Sequence, residues 1–164
     1  MKYLLPIALA LSACAATTLP VLAHAEAAGH AVYDASRDAA ADVEAALARV
    51  EGTERKVVVV MGANWCHDSR GLAEHFARSE IAPVIAAHYE VVWVDVGTPQ
   101  RGEARNQELA DRFGITPLVG TPTVVVLDGS GAMLNSEADA RSWRNAYSRE
   151  ADDVLAYFAD MAAR

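Results

Sequence analysis

Residues 57–61 read Val-Val-Val-Val-Met, and that run constrains the fold more than any other part of the chain. Four β-branched side chains in succession, with no polar alternation, predict a strand covered on both faces, and so a layer of structure on each side of its sheet. Gly62 allows a turn after the strand. From Leu72 the apolar residues Leu72, Ala73, Phe76 and Ala77 recur at helical spacing. Cys66 falls where the loop becomes the helix. A thiol there meets the unpaired N–H groups and positive dipole end of the helix, which favour thiolate over thiol, so Cys66 is the one evident candidate nucleophile.

The remaining segments supply the layers. Asp34 or Ser36 is placed to cap a helix whose Val43, Leu47 and Val50 form one apolar face, ended near Gly52. The Cys66 helix is expected to reach about Arg78, after which Ser79 caps a further turn carrying Ile81, Val84 and Ile85, with Pro83 in its first turn. Glu90–Val96 reads as a second strand, 97–102 as a loop, and 103–113 as a helix stopped by Gly114. An irregular stretch over 115–120 leads to the third strand, Thr123–Leu127. Asp128-Gly129-Ser130-Gly131 is turn chemistry, so 132–135 is expected to return antiparallel as a fourth strand. A last helix from Glu137 or Ser142 to about Met161 carries Tyr147, Val154, Phe158 and Met161 at helical spacing. This order predicts an α/β three-layer sandwich, a central mixed four-stranded sheet with helices on both faces.

Two motifs give this pattern a family. Trp65-Cys66-His67-Asp68-Ser69 at a strand-to-helix junction resembles the thioredoxin-family Trp-Cys-x-x-Cys site with its second cysteine replaced by Ser69. Gly120-Thr121-Pro122-Thr123-Val124-Val125-Val126-Leu127 resembles that family's Pro-Thr strand, whose proline is cis and faces the cysteine. The resemblance implies a thioredoxin-like fold over residues 34–164. It also implies a cis Thr121-Pro122 bond close to Cys66, and a partner groove lined by Trp65, His67, Thr121 and Pro122. His67 and Asp68 occupy the variable middle positions that tune thiol acidity in the family, and a protonated His67 would favour the thiolate. Ser69 has two readings, a hydrogen-bond donor to that thiolate or a helix cap, and Arg70 is either a positive charge near the sulfur or a solvated side chain. Trp93, Trp143 and Phe158 read as core. Consecutive Cys66, His67 and Asp68 diverge from a helix start without paired ligand spacing, so no metal site is expected.

The sequence also departs from the family. Dithiol reductases of this kind carry a buried Asp in the active-site strand as proton acceptor for the second thiol, and here that position is Val60. The acceptor and the thiol it serves are missing together. Thr116-Pro117-Leu118-Val119 lengthens the approach to Pro122 and alters the groove.

The N-terminus decides how many thiols the working protein has. Met1-Lys2, the apolar residues 3–11 and Ala23-His24-Ala25 compose an export signal over 1–25, followed by an Ala- and Gly-rich lead-in over 26–33. Leu11-Ser12-Ala13-Cys14 offers the alternative of a lipoprotein signal over 1–13, with a lipidated Cys14 as the only tie to a membrane. Either way Cys66 is left as the sole thiol, and no internal disulfide forms. Without the signal the chain has 13 basic and 22 acidic residues, a charge of about −9, and its scattered cations argue against nucleic acid as a partner.

These readings describe an exported, periplasmic protein that performs thiol–disulfide exchange or isomerisation through a mixed disulfide on Cys66. Its partner is a disulfide- or thiol-containing protein or glutathione, the latter as a co-substrate, and no other cofactor is expected. The alternative is a thioredoxin-fold binding or chaperone-like module that keeps the groove and uses no redox chemistry.

Overall fold

The computed structural model describes residues 31–164, so the export signal, Cys14 and the lead-in up to residue 30 lie outside the described residues. In chain order the elements are α1 (Ala39–Val50), β1 (Lys56–Gly62), α2 (His67–Ala77), α3 (Ala82–His88) and β2 (Tyr89–Asp95). A short pair, β3 (Gly97–Thr98) and β4 (Glu103–Ala104), precedes α4 (Gln107–Arg112), β5 (Thr123–Leu127), α5 (Glu137–Arg141) and α6 (Ala151–Ala163).

The valine run lies at the centre. β1 pairs parallel with β2 on one side and antiparallel with β5 on the other, with Val60 level with Trp93 and Val124. Its alternate side chains divide the interior in two. Val57, Val59 and Met61 pack with Val43, Ala46 and Val50 of α1 and Leu109 of α4, while Val58 and Val60 pack with Leu72 and Phe76 of α2, Ile85 of α3 and Phe158 of α6. Trp143 and Phe158 are fully buried, whereas Trp93 is half-buried at the edge of the same layer, in edge contact with Tyr33. Every β1 residue is buried because both faces are covered, which is the arrangement the unalternating sequence requires.

Four local features differ from the sequence expectations, each for a visible reason. Asp38, not Asp34 or Ser36, caps α1, accepting from the Ala41 N–H at 3.0 Å, while Asp34 binds Ser36 in its own turn. The helix expected from residue 103 starts only at Gln107: Asn106 is left-handed (φ 54°), its side chain donates to the Asp95 carbonyl, and residues 103–104 pair with β3. The return segment over 132–135 joins the three-stranded sheet by a single bridge, Leu127 to Met133. The buried Asn135 amide takes the place of further main-chain pairing, accepting from the Val126 N–H and donating to the Val124 carbonyl, both at 2.9 Å. The expected last helix is broken into α5, a 3-10 segment over Ser142–Ser148 and α6, with non-helical backbone at Asn145 and an extended Glu150.

Candidate active site

Cys66 is the residue at which the chain turns from the β1 loop into α2. Its N–H bonds the Ala63 carbonyl at 3.1 Å and its own carbonyl accepts from the Arg70 N–H at 3.1 Å, which fixes it as the N-terminal cap. The side chain makes no capping bond, so the sulfur stands beside first-turn amides that it does not itself satisfy. It is 8% exposed, and its S–H donates to the Thr121 carbonyl at 3.5 Å. The bond from Thr121 to Pro122 is cis, and so is the unanticipated one from Thr116 to Pro117. Cys66, Thr121 and Pro122, far apart in the chain, are therefore brought together.

Ser69 faces inward. It is fully buried, its Oγ accepts from the Ala63 N–H at 3.3 Å, and its carbonyl accepts from the Tyr33 hydroxyl at 3.0 Å. The bond this hydroxyl makes is an inward tie between helix and loop, distinct from both a bond to the sulfur and a helix cap. Trp65 is 49% exposed with its indole N–H donating to the Gly97 carbonyl at 2.9 Å, which pins the ring at the mouth. His67 is exposed, its Nε2 is 3.4 Å from Asp68 Oδ2, and its ring meets Tyr147 edge-on at 5.4 Å. The Asp68 carboxylate in turn accepts from the Tyr147 N–H at 3.1 Å. Arg70 donates to the Asn64 carbonyl at 2.7 Å, which ties it to the same loop.

Three contributors escaped the sequence reading. Tyr33, in the expected lead-in, is 1% exposed and belongs to the core under Ser69. Its backbone is clasped by Asn64, whose side chain accepts from the Tyr33 N–H at 3.1 Å and donates to the Tyr33 carbonyl at 2.6 Å. Burial outweighs a hydrogen bond with Ser69 and, with a smaller contribution from the neighbouring Cys66, holds the tyrosine hydroxyl protonated far above its usual range. Gly62 makes room for this arrangement: a Cβ there would come within 2.7 Å of both Ser69 Oγ and the Tyr33 ring. Tyr147 and Arg144 come from the 3-10 segment, which the expected continuous helix would have carried elsewhere. Tyr147, predicted on an apolar helix face, is instead 60% exposed beside His67.

Val60 is fully buried in the same apolar cluster as Tyr33, so the space beneath Ser69 holds a neutral tyrosine and no carboxylate from β1. Among the described residues no three His, Cys, Asp or Glu side chains gather as a metal site, and no helix is long and apolar enough to cross a membrane.

A profile described as thioredoxin-like matches residues 38–129, more than half of the chain, with β1, Cys66, Pro122 and β5 all inside the match. The chain belongs to the thioredoxin-like family. It is also similar to a solved structure described as a disulphide isomerase from Xylella fastidiosa Temecula1. The two share 32% identity at a TM-score of 0.70, over 79% of this chain and 95% of that one. No curated protein matches the chain. Tyr33, Arg144 and Tyr147 all fall outside the residues matched by the thioredoxin-like profile.

Proposed function

We propose that this thioredoxin-like protein is an exported, periplasmic thiol–disulfide exchange protein of isomerase type, acting through Cys66 alone. The observation that carries the reading is the Cys66 thiol, the one thiol among the described residues, buried at a helix start 3.5 Å from the Thr121 carbonyl, with the Ser69 hydroxyl at the position of a second, resolving sulfur. The name of the similar solved structure points the same way.

The Cys66 thiolate attacks one sulfur of a partner disulfide, forming a mixed disulfide and expelling the other sulfur as a thiolate that takes a proton from solvent. Ser69 cannot complete the cycle. Its hydroxyl is a far weaker nucleophile at neutral pH and is bound inward, and Val60 offers no proton acceptor. An external thiol, from a protein or from glutathione as co-substrate, must release the adduct. Such a cycle moves disulfides between partners without net oxidation or reduction, as isomerisation demands. The exposed Trp65, Val119 and Tyr147, in the segments that carry the site, offer apolar contact to a protein partner.

The test is turnover. The unmodified protein is expected to leave protein disulfides essentially unreduced under a catalytic reductase assay, yet to accelerate reshuffling of a scrambled disulfide protein when a small external thiol is supplied. Efficient reduction would overturn the monothiol mechanism. Neither activity, with Cys66 unreactive, would favour the binding or chaperone-like module.

A further inference from the structure

The arginines of this acidic chain are not evenly committed. Arg37, Arg49, Arg55, Arg78, Arg105, Arg112, Arg141 and Arg164 each pair with a carboxylate. Arg149 spends its guanidinium on Ser142, Asn145 and the Trp143 ring. Arg70, Arg101 and Arg144 pair with no carboxylate among the described residues; of these, Arg70 lies on α2 one turn on from Cys66, and Arg144 lies on the 3-10 segment packed against α2.

Arg144, exposed on the 3-10 segment, reaches across to the Gly120 backbone. Its side chain lies directly on Gly120, where a Cβ would come within 2.4 Å of Nε and 2.7 Å of Cζ. Gly120 does not have a left-handed backbone, and the absence of a Cβ leaves room for the arginine side chain to lie against it. The next residue, Thr121, presents the carbonyl that touches the Cys66 sulfur. Arg70, one turn on from Cys66 in α2, is anchored to the Asn64 carbonyl of the preceding loop and retains further donors. The nearest acid in the sequence, Asp68, is turned to the Tyr147 N–H and to His67.

We propose that Arg144, assisted by Arg70, is a carboxylate-binding subsite that selects disulfides whose attacked half carries a carboxylate close to its sulfur. The inference rests on Cys66 being the attacking thiol, as argued above. The guanidinium binds the carboxylate of the half that becomes joined to Cys66; a new S–S bond forms to that half, the old S–S bond breaks, and the other half departs as thiolate and is protonated by solvent. The bidentate geometry of guanidinium with carboxylate makes this recognition directional as well as electrostatic.

The experiment measures the rate of Cys66 mixed-disulfide formation with oxidised glutathione, which carries carboxylates, and with neutral hydroxyethyl disulfide, using Cys66→Ala to subtract reaction elsewhere. The readout is the ratio of the two rates within each protein. Arg144→Ala is expected to lower the ratio by about 5- to 10-fold, Arg144→Lys by less, and Gly120→Ala to lower it by displacing the arginine while keeping its charge. A second pair of substrates, peptide disulfides with Glu or Gln beside the cysteine, separates a protein carboxylate from that of a small thiol: whichever source shows the Arg144-dependent ratio is the one recognised. A ratio unchanged by Arg144→Ala for both sources overturns the subsite. Failure of every disulfide to react with the unmodified protein overturns the role of Cys66 and the subsite with it.

Discussion

Tyr33 shows how one side chain far from the chemistry in sequence can set it in space. Its ring fills the apolar layer against Trp93, its hydroxyl bonds the Ser69 carbonyl, and Asn64 grips its backbone from both sides. Tyr33→Phe keeps the packing and removes only the hydroxyl bond, so we expect a loss of ~1 kcal/mol in unfolding free energy, read from the urea midpoint. An unchanged midpoint would mean the bond adds nothing to the fold. The sequence hides this residue, since Tyr33 stands in an Ala- and Gly-rich stretch without periodicity, and its partners are 31 and 36 residues away. Cys66, Thr121 and Pro122 were legible because their motifs are local, a cysteine at a strand-to-helix junction and a proline entering a strand.

Elements were legible in proportion to how far their pattern is self-contained. The β1 and β5 valine runs and the faces of α1 and α2 follow from spacing alone, whereas the fourth strand is cut short to one bridge, because beyond the Leu134-to-Val126 backbone bond the Asn135 side chain takes over the β5 edge. Asn135→Ala leaves the buried Val126 N–H and Val124 carbonyl without those partners and is expected to cost ~2–4 kcal/mol, measurable by thermal or urea unfolding. A change below ~0.5 kcal/mol would show that water replaces the amide at no cost. Glu90 on β2 joins two other segments through Arg49 at the end of α1 and Arg55 ahead of β1. Burial alone would raise its carboxyl, but hydrogen bonds and charges from the two arginines outweigh it and hold it below the usual carboxylate range. A depressed value in the folded state means stability present above the unfolded value near 4.5 and lost as pH falls through the folded one. Glu90→Gln should therefore cost ~1 kcal/mol at neutral pH, discounted for the partly exposed arginines, with the difference from the unmodified protein shrinking below pH 4.5. A gap that persists in acid would contradict this assignment.

At the scale of the whole molecule, the thioredoxin-like frame brings three kinds of group to one place: the lone thiol of the described residues, the cis Thr121-Pro122 backbone, and the broken C-terminal helix with Tyr147 and Arg144. The break was not legible because the spacing of Tyr147, Val154 and Phe158 suits a continuous helix, while the kink at Asn145 is stabilised by Arg149 reaching back to Ser142 and Asn145. The break delivers two exposed side chains, Tyr147 and Arg144, from a part of the chain beyond the thioredoxin-like match. The central claim is that Cys66 forms a mixed disulfide that the protein itself cannot resolve. Intact-mass analysis after exposure to oxidised glutathione, with the adduct mapped by peptide mass, tests it most directly. We expect one adduct on Cys66 that persists until an external thiol is added, disappears in Cys66→Ala, and decays unaided in Ser69→Cys. An adduct that resolves by itself in the unmodified protein, or no adduct on Cys66 under mildly oxidising conditions, would contradict the account.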